Sequence, residues 1–208
     1  IECKNGVLPP GYVATMDTSQ MRSTLWISGM TGNVRATSLM GKDTEATYIN
    51  STISSEGWGA LSTDQTSGAY LNVINCKVNI TGPEGYGNYN DPDAHVAYYG
   101  CDFNMATFAS VIGSGDVYYG DSSPEVAAAL NEKFGLGLTA AEIKSVPNKP
   151  TVINSKKYGV MWHRSGNPLT VDGGTVFNTG KTTFIISGVP AVIKMDGSKG
   201  AKINAGNG

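Results

Sequence analysis

The sequence predicts an all-β fold in which short parallel strands stack in coils of about 20–25 residues. Three observations indicate this fold: a recurrent Asn/Gly corner, β-branched and aromatic runs between the corners, and a high glycine content. Glycine makes up 27 of the 208 residues, nearly twice the usual ~7%, and only 15% of the residues are charged. This composition excludes a coiled coil and a charged helical bundle.

A period of 25 residues runs through the first half of the chain and predicts where the corners lie. It is clearest in a column of small residues, which we extend as Ser51, Cys76, Cys101, Ser155, Thr175 and Ser198. The position before each of them is Asn or Gly: Asn50, Asn75, Gly100, Asn154, Gly174 and Gly197. Because Asn and Gly tolerate the left-handed backbone region, we expect a positive φ at this position in every coil.

A helical insertion interrupts the period between Cys101 and Ser155, an interval that exceeds one period by 29 residues. Ser-x-x-Glu and Thr-x-x-Glu capping boxes begin at Ser122 and Thr139. They predict helices over about 123–134 and 139–145. We expect this insertion to project from the wall of the stack.

The predicted domain organisation follows from the period. Residues 1–44 form an opening coil or N-terminal cap, 45–120 form coils, 121–148 form the helical insertion, and 149–208 form further coils. The final residues, 205–208, resemble a corner that leads into another strand. We therefore expect a fragment whose terminal coil packs against its own continuation or another subunit. A β-sandwich with Gly-rich turns is the alternative fold.

The corners, the stacked small residues and the coil length resemble the right-handed parallel β-helix of the pectate-lyase-like superfamily. The phrases at 151–155, 174–180 and 201–204 look like the adhesin-like β-helix surface proteins of anaerobic bacteria. This resemblance covers about residues 45–111 and 150–208. It implies an extracellular or cell-surface location, and it implies no particular activity.

Charge, hydropathy and cysteine content exclude several classes of partner. The net charge of -2 argues against nucleic-acid binding, and no apolar run approaches the ~18 residues of a membrane span. The three cysteines form no CxxC pair, and the two histidines are far apart, so we expect neither a metal site nor a cofactor. Because in-register strands lie too far apart for a disulfide, Cys76 and Cys101 should stack as free, buried thiols.

Enzymes of the resembled superfamily place acidic residues beside an Arg or Lys on an outward strand face. The candidates here are Asp91, Asp93, Asp102 and Asp116, with Arg164 or Lys156. None of them lies in a recognisable catalytic motif, so we assign no catalytic residue. The segment Asp91-Pro92-Asp93 reads as an ordinary turn.

Aromatic residues give the better functional signal. Rings that face outward stack on the apolar faces of sugars, and their polar edges remain available for hydrogen bonds. The ligand-binding candidates are Tyr86, Tyr89, Tyr118, Tyr119, Trp162, His163 and Arg164. Other aromatic residues should fill the interior, since Tyr48 and Tyr98 share a column with Val73.

Three functional hypotheses follow. The first is a secreted or cell-surface, adhesin-like protein that binds glycans or other macromolecules without catalysis. The second is a segment of a β-helix polysaccharide lyase or glycoside hydrolase. The third is a structural subunit of a larger assembly. An outward cluster of two or three carboxylates with a basic residue in one cleft would favour the enzyme.

Overall fold

The computed structural model describes most of the chain. The described residues are 2–8, 12–17, 24–33, 36–40, 45–55, 59–63, 67–82, 85–90, 93–106, 110–113, 115–163, 168–186 and 193–206. These residues are mostly in strands, and every pairing between two strands is parallel. The expectation of an all-β chain with two short helices is therefore confirmed.

The strands are short and follow one another closely along the chain. The first ten are β1 (Glu2–Leu8), β2 (Tyr12–Asp17), β3 (Thr24–Asn33), β4 (Ala36–Met40), β5 (Glu45–Ile49), β6 (Thr52–Ser55), β7 (Gly59–Thr63), β8 (Ser67–Ile74), β9 (Lys77–Ile80) and β10 (Tyr86–Asn90). The others are β11 (Asp93–Tyr99), β12 (Asp102–Met105), β13 (Val111–Gly113), β14 (Asp116–Gly120), β15 (Val152–Ser155), β16 (Val160–His163), β17 (Leu169–Val171), β18 (Val176–Thr179), β19 (Phe184–Ile186), β20 (Ile193–Met195) and β21 (Lys202–Ala205).

From β5 onward, each strand pairs with the third strand after it, which creates three faces. The first face contains β5, β8, β11, β14, β17 and β20, and the second contains β6, β9, β12, β15, β18 and β21. The third face contains β7, β10, β13, β16 and β19, together with β2 and β4. This arrangement is compatible with a parallel β-helix.

The long strand β3 joins the first and second faces into one sheet. Its first half pairs with β5 and its second half pairs with β6, so within the described residues the two faces form a single 14-stranded sheet. The third face is a separate sheet of seven strands. Four of the 21 strands in the described part of the chain, β1 to β4, come from residues 1–44, and they extend both sheets.

The apolar core lies between the faces because alternate residues of each strand point inward. On the first face Tyr48, Val73, Tyr98 and Tyr119 are register neighbours, and all four are fully buried. The rings of Tyr98 and Tyr119 stack, with their centroids 5.4 Å apart. The predicted interior column of Tyr48, Val73 and Tyr98 is confirmed.

The corners between the first and second faces have the predicted backbone in three coils. Asn50, Asn75 and Gly100 have φ values of 51°, 48° and 59°. The side-chain amide of Asn75 also donates a hydrogen bond of 2.7 Å to Oδ1 of Asn50. Adjacent corners therefore support each other through side chains as well as through the backbone.

The later corners lie at other positions than predicted. Asn154 and Ser155 are in strand β15, where they pair with Asn104 and Met105. The corner equivalent to Cys101 is Thr151, whose hydroxyl accepts from the Cys101 N–H and donates to the Gly120 carbonyl. The preceding corners share this contact, since the Ser51 N–H donates to Sγ of Cys76. The second face therefore resumes at Val152, four residues before the expected strand.

The same correction applies nearer to the C-terminus. Thr175 precedes β18 as predicted, but the positive φ in that corner belongs to Gly173 and not to Gly174. The last described corner ends at Ala201, because Lys202 pairs with Val176. Residues 197–199 form a short 3₁₀ helix instead of the predicted corner at Gly197-Ser198.

Two helices form the insertion at the predicted positions. Helix α1 spans Pro124–Phe134 and helix α2 spans Ala140–Ser145. The Thr139–Glu142 capping box is confirmed, whereas the cap of α1 is Ser123 and not Ser122. Ser122 instead bridges to Lys149, which closes the base of the insertion.

The insertion lies against the outer side of the first face and does not project from it. It covers two isoleucines on that face, Ile49 and Ile74, both of which are fully buried. The residues of the insertion that form this second apolar cluster are Ala127, Leu130, Phe134, Leu136, Leu138 and Val146. The first face is consequently buried on its inner side and partly covered on its outer side.

The expectation for the cysteines is confirmed. Cys76 and Cys101 are free, fully buried and stacked, since the residues that follow them pair in register. Their thiols donate to the carbonyl oxygens of Ile74 and Val73. Burial raises the pKa of Cys76 to about 12 and also raises the pKa of Cys101.

Substitution of Gly100 tests how tightly the corners pack. A Cβ atom at Gly100 would clash with the side chain of Ser122, whereas a Cβ atom at Gly135 would meet nothing within 4 Å. Both residues have a positive φ, so G135A measures the backbone strain alone, about 1 kcal/mol. We expect G100A to lower the free energy of unfolding by roughly 1–3 kcal/mol more, because the clash is added. Equal losses in urea unfolding would contradict the corner packing.

Candidate functional site

A groove on the outer side of the first face is the candidate site, and we call it the α1 groove. It has a volume of about 310 Å³ and runs between helix α1 and strands β8, β11, β14 and β17. Its lining residues include Tyr70, Asn72, His95, Tyr99, Asp116, Tyr118, Leu130, Lys133, Pro168 and Thr170. The volume lies at the lower end of the range of small-ligand sites.

Strand alternation and register bring these side chains together. Leu71 and Val73 point into the core, so Tyr70 and Asn72 on the same strand point outward. Tyr70 pairs with His95 and His95 pairs with Asp116, which places three outward side chains in one row across neighbouring strands. A second row of outward positions runs beside the first and contains Asn72, Ala97, Tyr118 and Thr170.

The first row forms a stack capped by a cation. The Tyr70 and His95 rings are 4.6 Å apart between centroids and nearly parallel, at 16°. Nδ1 of His95 lies 2.9 Å from Oδ2 of Asp116. Nζ of Lys133, on helix α1, lies 5.2 Å from the Tyr70 centroid, within cation–π range. The His95 and Asp116 side chains are 40% and 36% exposed, so a ligand can reach them.

Tyr118 is held in position by groups outside the groove. Its hydroxyl donates to Oδ2 of Asp172 over 3.1 Å, and Oδ1 of Asp172 accepts from Nζ of Lys199 over 2.8 Å. Partial burial and the neighbouring Asp172 raise the pKa of Tyr118, while the Lys199 ammonium lowers the pKa of Asp172. The ring of Tyr118 lies 5.3 Å from that of Tyr99. Two adjacent tyrosine rings therefore line this end of the groove.

A buried carboxylate continues the first row beyond the groove. Glu45 pairs with Tyr70 in register and is fully buried. Its Oε1 accepts hydrogen bonds from the hydroxyl of Thr47 and the amide of Asn72. Glu45 and Asp116 are three strand spacings apart, or about 14 Å. That separation exceeds the ~5–9.5 Å between the two carboxyl groups of a glycosidase.

Three further carboxylates surround Lys199, and each accepts a hydrogen bond from the backbone of a turn. Asp121 accepts from Gly174 N–H, Asp172 from Gly173 N–H, and Asp196 from Ser198 N–H. These contacts give all three a structural role. Among the described residues, no group of three or more His, Cys, Asp or Glu side chains is arranged to hold a metal ion.

The structure brings one predicted ligand-binding residue, Tyr118, into the α1 groove. Its neighbour Tyr119 is fully buried, and its hydroxyl is hydrogen-bonded to Oγ of Ser110 over 2.8 Å. The ring of Tyr119 is therefore part of the core and is not on the surface. Alternation along β14 is the reason, since one of two consecutive residues must point inward.

The other predicted ligand residues lie elsewhere. Tyr86 and Tyr89 are on β10 of the third face, with centroids 6.4 Å apart, and Tyr89 is exposed. Trp162 and His163 are on β16 of the same face, and their side chains lie outside what the structure describes. Arg164 also lies outside the described residues.

The candidates for acid–base chemistry that the structure describes do not meet in one cleft. Asp116 lies in the α1 groove, whereas Asp102 forms an ion pair with Lys149 on the second face. Asp93 is exposed at the start of β11, and Lys156 is exposed after β15. Asp91 lies outside the described residues.

Sequence reasoning missed most of the groove, including Tyr70, Asn72, His95 and Lys133. A signal existed for part of it, because Glu45, Tyr70 and His95 follow one another at the 25-residue period. Lys133 carried no such signal, since its position depends on how the insertion folds back. No helix among the described residues is long and apolar enough to cross a membrane.

The Asp172–Lys199 pair predicts a pH dependence of stability. Because the pKa of Asp172 is lowered in the folded state, its contribution is complete above the unfolded pKa of ~3.9 and disappears as the pH falls through the folded value. We expect the thermal midpoints of the native chain and D172N to differ at about pH 6, where carboxyl groups are ionised, and to converge on acidification. D93N, at an exposed position, controls for the loss of one charge. A difference between native and D172N that is constant with pH would contradict this account.

Comparisons with models of known protein families, with curated proteins and with solved structures find no match for this chain.

Proposed function

We propose that this chain is part of a right-handed parallel β-helix protein of the pectate-lyase-like, adhesin-like type, and that its α1 groove binds glycans without catalysis. The pairing of each strand with the third strand after it supports the fold. The left-handed corners at Asn50, Asn75 and Gly100 support it as well. The extracellular or cell-surface location rests on the sequence resemblance.

The observation that carries the glycan proposal is the joint presence of tyrosine rings and polar side chains in one open groove. Tyr99 and Tyr118 supply aromatic surface, and Tyr70 supplies the ring on which His95 stacks. Asn72 and the His95–Asp116 pair supply hydrogen-bond donors and acceptors beside it. A pyranose ring has an apolar face of C–H groups and an edge of hydroxyls, so it complements both kinds of surface.

The positions of the carboxylates support binding without catalysis. The groove itself contains one carboxylate, Asp116, among the residues that the structure describes. The next carboxylate in its row, Glu45, is fully buried and about 14 Å away. Retaining and inverting glycosidases both need a closer pair, so this row does not suit glycoside hydrolysis.

A polysaccharide lyase is the second candidate, and the His95–Asp116 pair is the observation that favours it. An imidazole that is oriented by a carboxylate can act as a general base. A lyase removes the proton next to the carboxyl group of a uronate, and a nearby cation such as Lys133 would stabilise the charge that develops. The bond from the adjacent carbon to the glycosidic oxygen then breaks, which forms a C=C bond and releases the neighbouring sugar, whose oxygen takes a proton from water. This candidate requires an acidic polysaccharide, which the glycan-binding proposal does not.

A glycan array followed by calorimetry tests the proposal. We expect a glycan ligand whose dissociation constant rises about tenfold or more in Y118A, which loses a stacking platform worth about 1.4 kcal/mol or more. We expect a similar rise in Y70A, because His95 loses the ring on which it stacks. Y89A is the matched control, since it removes an exposed tyrosine from the third face.

The outcomes separate the hypotheses. A loss of binding in Y89A with none in Y70A or Y118A would move the site to the third face and reject the α1 groove. No binding to any glycan would reject the proposed function. An unsaturated product released from a polyuronate, and absent with H95Q, would establish the lyase instead.

A further inference from the structure

A continuous row of five asparagines lies on the outer side of the second face. Register pairing brings equivalent residues of successive strands together, so each asparagine has another asparagine beside it. The row consists of Asn79, Asn104, Asn154, Asn178 and Asn204. It belongs to a different face from the α1 groove, and no part of the proposed function uses it.

Hydrogen bonds between the side chains join the row from end to end. The amide Nδ2 of each later asparagine donates to Oδ1 of the one before it. The four N···O distances are 3.0, 3.4, 2.9 and 2.8 Å, from the Asn79 end to the Asn204 end. The amides are therefore fixed in one orientation and repeat at one strand spacing, about 4.8 Å.

The row retains hydrogen-bonding capacity for a ligand. An asparagine amide has two N–H donors and an oxygen with two lone pairs. Within the row Asn104, Asn154 and Asn178 each use one N–H and one lone pair. With respect to the residues that the structure describes, each of the three keeps a second donor and a second lone pair, and none of this capacity carries a charge.

A broad groove of about 580 Å³ lies along the middle of the row. Asn104, Asn154 and Asn178 line it together with the apolar atoms of Met105 and Ala106. Lys156 is the one ionisable residue among the described lining. This surface therefore suits neither a polyanion nor a polycation, both of which need several charges of opposite sign.

We propose that the asparagine row is a second binding surface, and that its occupant is an extended, uncharged, 1→4-linked polysaccharide that lies along the row. A flat 1→4-linked pyranose chain advances by about one strand spacing per ring, so each ring meets one asparagine. Its hydroxyls both donate and accept, as the amides do, and its C–H faces match the apolar floor. An extended peptide repeats at about 6.6–6.8 Å per two residues and loses register with the row.

Titration of the isotope-labelled chain with cellohexaose tests this proposal. We expect the side-chain amide resonances of Asn104, Asn154 and Asn178 to shift. The double variant N104T/N154T removes two amides and keeps residues that favour strands. It should raise the dissociation constant roughly tenfold or more. K202T changes a neighbouring exposed residue of the same face and should leave the affinity unchanged.

Two further ligands make the test selective. Maltohexaose has the same composition but curves away from a straight row, so it should bind at least roughly tenfold more weakly. Equal binding of the two sugars, or equal affinity of the native chain and N104T/N154T, would overturn the proposal. Preferential binding of an extended peptide would overturn it as well.

The outcomes are separable from those of the α1 groove. Shifts confined to residues around Tyr70 and Tyr118 would reject the asparagine row and leave the proposed function intact. Shifts confined to the asparagine amides, unchanged in Y70A, would support the row and count against the α1 groove. Circular dichroism of N104T/N154T verifies that a loss of affinity does not come from unfolding.

Discussion

In-register parallel pairing between equivalent strands is the constraint on which the rest of this structure depends. Each side chain lies one strand spacing from its counterpart in the next coil, so the side chains of one column must be able to pack against each other. Interior columns satisfy this with stacked rings, as in Tyr98 and Tyr119, or with small residues, as in Cys76 and Cys101. Outer columns satisfy it with identical side chains that hydrogen-bond to each other, as in the asparagine row.

The same constraint explains how a helical insertion is accommodated. The insertion leaves the stack at a corner, after β14, and returns at the corner before β15. The corner keeps its contacts, because Thr151 bonds to Cys101 and Gly120 through its hydroxyl, and Ser122 and Lys149 bridge the two ends. The register of the second face therefore continues across the insertion. Because the helices then fold onto the first face, they create the wall of the α1 groove and supply Lys133 to it.

Part of this organisation could be predicted from the sequence, because a 25-residue period reports positions that must match. The corners at Asn50, Asn75 and Gly100 and the interior column of Tyr48 were accessible in this way. The two helices were accessible from their capping boxes. The corner after the insertion was not. Val152-Ile153-Asn154-Ser155 nearly copies Val73-Ile74-Asn75-Cys76, yet an alternating strand accepts either assignment of its inner and outer residues. Packing of Ile153 between Phe103 and Phe177 decides it.

The candidate site was less predictable than the fold for a related reason. Tyrosine content indicated an aromatic surface, but not which of two consecutive tyrosines faces outward. Tyr119 shares a column with Tyr98 only because the coil between them is shorter than 25 residues. The contribution of helix α1 depends on where the insertion docks, which involves Ile49 and Ile74 more than 50 residues earlier in the chain. No local pattern encodes that contact.

The central claim is that residues far apart in sequence are stacked at one strand spacing per coil, and a distance between two spin labels tests it most directly. Lys77 and Lys202 are exposed, occupy one column of the second face and are separated by four pairings through β12, β15 and β18. The labelled variant carries K77C, K202C and C3S, and its remaining thiols, Cys76 and Cys101, are buried. The backbones of residues 77 and 202 should lie about 19 Å apart. A narrow distribution near that value, allowing for the label linkers, is the predicted result. A distribution centred beyond about 30 Å, more than six strand spacings, would contradict the account.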